Sequence, residues 1–311
     1  MNALTSHRKG LLCGLSAYLL WGVFPLYFLL VAAAPALEVI AHRVLWTLVL
    51  CLIGVTALRR WGEFRAVIHD RATLLRLVVA GVLVLSNWSI YVFAVLAGHV
   101  VDASLGYFIN PLVTVMLAVV VLREKPRPLQ LAALAIGGTA VLVVVIWYGQ
   151  VPWVALLLAL TFAVYGLIKK QVDVSPMVGL GVETTLLAPI GAGYIIFLSV
   201  TGASTLWLNP VHTAALFSAG VVTAAPLLLF AAAARRIPLT TVGLLQYACP
   251  VMQFTLGVTV FGEEMPLARW VGFALIWVAL IVLTVDTIAG KRNTQPGGEP
   301  DFVRDAGTSP A

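Results

Sequence analysis

A chain of 311 residues with a mean hydropathy of +1.02, 61% hydrophobic and only 10% charged residues, excludes a water-soluble domain, which carries about 25% charged residues. A net charge of +6 and a pI near 9.4 would suit a nucleic-acid binder, but the basic residues stand in short clusters between long apolar runs, which argues against one. The solvent for those runs is lipid.

Each run is about 20 residues long, enough to cross the hydrocarbon core of a bilayer. Helices follow, because in hydrocarbon every backbone polar group needs an internal partner, and the alternation of a barrel strand is absent. The first run, after Arg8 and Lys9, is too long for a cleavable signal and lacks a small-residue cleavage site, so it is expected to stay as an anchor. Helix 1 is predicted at 10–31 and helix 2 at 37–58, followed by a basic amphipathic loop over 59–76. Helix 3 covers 74–97, helix 4 102–122, helix 5 128–147 and helix 6 152–168. Helices 7 to 10 are expected at 177–199, 212–233, 239–261 and 267–286. The tail at 289–311 is polar and rich in Gly, Pro and acids, the composition of a disordered segment. Cys13, Cys51 and Cys249 all fall in apolar runs and read as small hydrophobes without disulfides.

Loop charge orients the chain. With the N-terminus inside, all Lys and Arg except Arg43 and Arg269 fall on the inner side, which predicts N-in/C-in and a multi-pass protein of the inner (plasma) membrane.

A repeat organises the rest. The shift that places Pro250 of IPLTTVGLLQYACPVMQFTLGVTVFGEEMP on Pro111 of VDASLGYFINPLVTVMLAVVVLREKP also places Tyr247 on Phe108, Gln246 on Tyr107 and Glu263 on Glu124. The fold class expected is therefore an all-α membrane protein of ten transmembrane helices in two five-helix repeats, 8–148 and 149–288. Five is odd, so the second repeat enters the membrane from the opposite side. Helix 4 ends at the basic Arg123–Lys125, whereas helix 9 ends at Gly262–Glu264. Inverted duplication is the plan of many secondary transporters, with the substrate near the midplane between the repeats.

LEVIAHRVLWTLVL at 37–50, SNWSIYVFAV at 86–95 and SLGYFINPL at 104–112 resemble the RarD branch of the EamA-type transporters, in the drug/metabolite transporter superfamily. The resemblance implies a ten-helix inner-membrane permease that exports small metabolites or drugs.

Polar groups inside spanning runs are the candidate site, since a charge at a helix centre costs about 2.5–3.5 kcal/mol on insertion scales. Helix 2 offers Glu38 and His42, one turn apart, and Arg43, which is expected either to attract an anionic substrate group or to pair with Glu38. Glu183 of helix 7 matches Glu38 in the repeat, as a gate or proton-coupling acid or as a structural hydrogen-bonding group. Helix 3 supplies Asn87 and Tyr91, helices 4 and 9 supply Tyr107, Asn110, Gln246 and Tyr247, and Tyr18, Trp21 and Tyr165 are further aromatic candidates. Pro25, Pro111 and Pro250 are expected to kink their helices and free a carbonyl. Trp153, Trp207 and Trp270, near helix ends, read as an interfacial aromatic belt.

His7, His69, His99 and His212 show no metal-ligand spacing, and neither a phosphate-binding loop nor a nucleophile elbow occurs, so neither cofactor nor ATP-driven engine is expected. The partners expected are a small-molecule substrate and the lipid bilayer, with proton coupling and a homodimer left open. The rival readings are an intramembrane enzyme, for which His42 and Cys51 are too poor a pair, and a non-transporting accessory subunit or lipid-handling helper.

Overall fold

The computed structural model describes residues 3–96, 100–148 and 153–260, with isolated positions between 270 and 282. Helix 10 falls almost entirely outside the described residues, as do Glu263, the tail at 289–311 and His99. Among the described residues the chain is helical throughout. The helices are α1 (Ala3–Gly22), α2 (Phe24–Leu30), α3 (Ala36–Ala57), α4 (Trp61–His69), α5 (Arg71–Leu96) and α6 (Val100–Val120), then α7 (Pro128–Tyr148), α8 (Trp153–Gln171), α9 (Pro176–Thr201), α10 (Pro210–Ala234), α11 (Leu239–Leu245) and α12 (Ala248–Thr259).

Five of these are long and apolar enough to cross a membrane, and α1 with α2 makes a sixth if the bent pair is one span. The outside of the bundle is apolar: Ile53, Leu75, Ile146, Ile190 and Val200 are all exposed. An exposed apolar surface of this kind needs lipid rather than water around it. Trp153, Trp207 and Trp270 are exposed as well. The chain is a multi-pass membrane protein.

Two expected helices are broken rather than straight. Helix 1 bends by 40° between α1 and α2, where Pro25 in the first turn of α2 cannot donate back to the preceding turn. Helix 9 divides into α11 and α12 at Gln246–Tyr247, just upstream of Pro250; the Gln246 carbonyl accepts instead from Cys249 N–H at 3.0 Å. By contrast α6 continues through Pro111 as one helix. The stretch expected as a loop over 59–76 contains α4, whose apolar face buries Phe64 and Val67 against Val55, Leu77, Val178 and Val182. The turn before it is a left-handed helix stop at Arg59 (φ 53°), with Arg60 N–H bonded to Val55 O at 2.8 Å.

The strongest packing is between helices far apart in sequence: α3 lies on α9 and α10, α1 on α10 and α12, α8 on α5 and α6, and α6 on α11. Gly54 meets Met177, Gly181 meets Cys51 and Gly191 meets Ala41, so α3 and α9 run antiparallel. A core of Tyr18, Tyr165, Leu227, Phe230, Leu239 and Val242 fills the centre. The closest approach to a neighbouring backbone at any described glycine is α10 on α3, where a Cβ at Gly220 would overlap the backbone carbonyl of Trp46. Gly220→Ala is expected to cost about 1–3 kcal/mol through overpacking. Gly193→Ala, with nothing within 4 Å of its Cβ, should be neutral or gain up to about 1 kcal/mol. Thermal unfolding of both variants in detergent checks this, and equal midpoints would remove the close approach from the packing.

Contacts identify the two ends of the bundle. At one, the turns around 58–63, 121–127, 170–175 and 235–240 are bonded to each other, through Glu63–Ser175, Glu124–Leu239 and Arg235–Asp173. At the other, Glu38 and Leu30 meet the 204–212 segment. The first is here called the basic end.

Candidate functional site

Polar and aromatic side chains of α1, α2, α3, α5, α6 and α8, with those of the α11–α12 break, converge on a cavity of about 880 Å³, open solvent at its mouth included. Among its lining residues Arg43, Asn87, Tyr91, Tyr107, Asn110 and Gln246 were candidates from sequence, as were Tyr18, Trp21 and Pro25. Phe24, Phe28, Gly106, Leu158, Phe162 and Cys249 complete its walls with Trp88. Phe24, Phe28, Gly106, Leu158, Phe162 and Cys249 carry in apolar helices no signal that separates cavity walls from core, so they had to be found in space.

The cavity occupies the half of the bundle away from the basic end. At its floor Tyr18, Trp21 and Phe162 pack with Tyr165 and Phe230 in a cluster of rings, mostly tilted or edge to face, with centroids 5.2–6.3 Å apart.

Arg43 is the charged group of the site. It is only 6% exposed, its Nε donates to Thr223 Oγ1 at 2.9 Å, and its guanidinium carbon sits 4.2 Å from the Trp88 ring centre and 5.0 Å from that of Phe24. Such stacking on ring faces partly compensates a desolvated cation. Glu38 is not its partner. That carboxylate is fully buried and accepts from the Ser204 hydroxyl at 2.8 Å, from Thr205 N–H at 2.9 Å and from the Thr205 hydroxyl at 2.9 Å, which fastens the 202–209 turn to α3. His212 lies 2.9 Å from the same Thr205 hydroxyl and 3.3 Å from the Leu30 carbonyl. His42 accepts from Trp46 Nε1 at 3.2 Å through Nδ1, its buried Nε2 has no partner among the described residues, and it does not line the cavity.

The amides are half committed. Asn87 spends Nδ2 on Leu158 O and Thr161 Oγ1, each at 2.9 Å, tying α5 to α8. Asn110 accepts from Thr114 through Oδ1 at 3.0 Å, which leaves its NH2 for the cavity. The Tyr91 and Tyr107 rings meet edge to face at 5.9 Å. Gln246 lines the cavity at the point where α11 ends.

Tyr247 and Glu183 are elsewhere. Tyr247 packs with Val115, Ala133 and Leu244, its hydroxyl directed at Gly137, where any Cβ would overlap it. Glu183 is buried nearer the basic end, its Oε1 2.5 Å from Lys169 Nζ and its Oε2 accepting from the Tyr165 hydroxyl at 3.4 Å. Lys169 reads from sequence as the basic end of a helix; folded, it is 6% exposed. Thr223 and Lys169 are the partners that sequence reasoning missed.

At the basic end, outside the spanning segments, Glu63 accepts from Ser175 N–H at 2.6 Å and from its hydroxyl at 2.9 Å. Partial burial pushes the Glu63 carboxyl up, but these bonds and Arg60 outweigh it and hold the group below the usual carboxylate value, about 4.3. A depressed value means that this tie contributes above that range and is lost as the pH falls through it.

Comparison with known proteins fits this architecture. Residues 8–146 and 151–285 each match the EamA-like transporter family. Protein RarD of Streptomyces exfoliatus is 44% identical over 95% of this chain and 94% of its own. An uncharacterized transporter of Pseudomonas aeruginosa is 41% identical over 93% of this chain and 98% of its own. A solved crystal structure superposes with a TM-score of 0.71 over 90% of this chain and 98% of the other, at 19% identity, a likeness of fold alone. With lipid-facing helices around a polar cavity and both halves matched, the chain belongs to the EamA-like transporter family and is a RarD-like membrane transporter.

Proposed function

We propose that the protein is a secondary active transporter of small organic metabolites or drug-like compounds, working by alternating access between two inverted five-helix repeats, 8–148 and 149–288. The observation that carries this is the cavity, which draws walls from both halves: Arg43, Asn87 and Asn110 from the first, Leu158, Phe162 and Gln246 from the second. Helix packing supports the inverted repeat, because exchanging the halves preserves it. The contact of α1 with α10 becomes that of α8 with α5, α8 on α6 becomes α1 on α12, and α3 on α9 and α6 on α11 map onto themselves. Positive-inside bias puts the basic end in the cytoplasm, with both chain termini there, in the inner membrane. The cavity then faces outward, with the ring cluster at its floor as the closed inner barrier. Net export is the direction the family resemblance implies.

A thermal-shift screen of the purified protein against amino acids, nucleosides, organic anions, amines and chloramphenicol-type drugs tests the site, since a bound ligand stabilises the folded state by mass action. A hit should lose at least about tenfold in affinity in Asn110→Ala or Gln246→Ala, one charge-free hydrogen bond being worth about 1 kcal/mol and its desolvation as much again. The same compound should accumulate across vesicles holding the protein. Transport indifferent to both substitutions would move the substrate path out of this cavity.

A further inference from the structure

We propose that the cavity takes an organic monoanion, a carboxylate or similar oxyanion on an apolar ring-bearing body, and that Arg43 is its charge-recognition residue. The proposal rests on the reading of the cavity as the substrate site and names what enters it.

Charge balance is the first argument. A guanidinium keeps its charge in protein surroundings, and Arg43 lines a cavity walled mainly by rings. Among the described residues its one hydrogen bond is from Nε to a neutral hydroxyl, Thr223. That leaves the N–H groups on both Nη atoms, the fork that matches an oxyanion in two parallel bonds. Among the described residues no carboxylate is paired with it. Four described acids of the bundle are spent elsewhere: Glu38 on the 204–205 turn, Glu183 on Lys169, Glu124 on the first turn of α11 and Glu63 on Ser175. A buried cation without a counter-ion is costly, and the charge that offsets it best is one that enters with the ligand. A single cation balances a single negative charge. A dianion or an amine would leave net charge in the cavity.

Shape is the second argument. Trp88 and Phe24 hold the guanidinium between their faces, so it is fixed in orientation before any ligand arrives, and less ordering remains to be done on binding. Beyond it, the Tyr91–Tyr107 edge-to-face pair and Phe162 present ring surface to the body of the ligand. The Asn110 NH2 is a second donor on the same cavity. An apolar body with one anionic end uses all of these; a polyol or a nucleoside would leave its hydroxyls facing rings.

The test uses the full chain in detergent and three probes of one shape: 3-phenylpropionate, 3-phenylpropanamide and 3-phenylpropylamine. Binding is measured by calorimetry at one salt concentration on wild type, Arg43→Gln, Arg43→Lys and Asn110→Leu. The expected result is that wild type binds the carboxylate at least about tenfold tighter than the amide and excludes the amine. The preference should collapse to within about twofold in Arg43→Gln and survive in part in Arg43→Lys. The wild-type comparison stands even if Arg43→Gln fails to fold. Equal affinity for carboxylate and amide, tighter binding of the amine, a preference untouched by Arg43→Gln, or no binding of any probe would each overturn the proposal. Asn110→Leu separates that failure from failure of the cavity reading. Probes that bind without charge preference yet weaken together in Asn110→Leu leave the cavity as the site, whereas probes indifferent to Asn110→Leu bind somewhere else.

Discussion

Lys169→Met should destabilise the protein by about 3–5 kcal/mol, while Lys169→Met combined with Glu183→Gln should recover most of that loss. The Lys169 and Glu183 side chains are 5% and 0% exposed and stand 2.5 Å apart. Removing the ammonium alone strands a carboxylate at depth with, among the described residues, only the Tyr165 hydroxyl, 3.4 Å away, as a donor. Breaking a buried pair costs far more than replacing it whole, because the penalty is the uncompensated charge and not the lost attraction. Unfolding midpoints in detergent for the two single variants and the double variant make a cycle, and a single variant as stable as wild type would mean the carboxylate is not confined as the structure has it. The same three proteins decide whether Glu183 has a transport role. A proton-coupling acid requires that Glu183→Gln flatten the pH dependence of transport. A double variant that transports at the full rate with an unchanged pH profile would leave the pair as a structural tie only.

That pair shows what a sequence withholds. Glu183 is legible because an acid in an apolar run must be satisfied by something. Its partner is not, since Lys169 sits where loop charge alone explains a lysine. The same holds for Arg43 and Thr223, which are 180 residues apart and meet only because Gly220 lets α10 close on α3. Five of the ten expected spans, and a sixth if α1 and α2 are one, were readable from length and hydropathy, and most polar cavity residues from the cost of placing them in lipid. The breaks in helices 1 and 9 were signalled by Pro25 and Pro250, but Pro111 gives the same signal and α6 runs through it, because a proline removes a bond without dictating whether packing holds the helix together. Repeat symmetry misled at Tyr247: aligned with Phe108 beside the cavity-lining Tyr107, it turns to Gly137 instead. The helix α4 was missed because nine residues between arginines carry too little apolar length to announce themselves, and its Phe64 and Val67 find their core only in the folded bundle.

Glu124→Ala should loosen the basic end and raise access to the cavity from that side. In sequence Glu124 is the charged stop of a helix. Folded, it reaches across to the other half, its Oε1 accepting from Leu239 N–H at 2.8 Å and its Oε2 from Thr240 N–H at 2.9 Å and the Thr240 hydroxyl at 2.7 Å. First-turn N–H groups have no partner within their own helix, so the carboxylate completes α11. The chain holds Arg123 in the left-handed region, φ 54°, to deliver it, a conformation that costs a non-glycine residue about 1–2 kcal/mol and persists only where its surroundings repay it. Alanine leaves three donors of the buried Leu239 and Thr240 without that acceptor, a loss of about 1–3 kcal/mol. On the alternating-access proposal this loss falls on the state with the basic end closed, and each 1.4 kcal/mol is a tenfold change in the ratio of states. Cys249, on the cavity wall, reports the shift. With Cys13 and Cys51 replaced by alanine, a membrane-impermeant maleimide applied at the cytoplasmic face of inverted vesicles should label Cys249 about tenfold or more faster in Glu124→Ala than in its Glu124 parent. Glu124→Gln, which keeps one acceptor oxygen, should fall between them. Labelling and thermal stability both unchanged in Glu124→Ala would reduce the contact to a surface cap, and the closure of that end would then rest on the ring cluster of Tyr18, Trp21, Phe162, Tyr165 and Phe230.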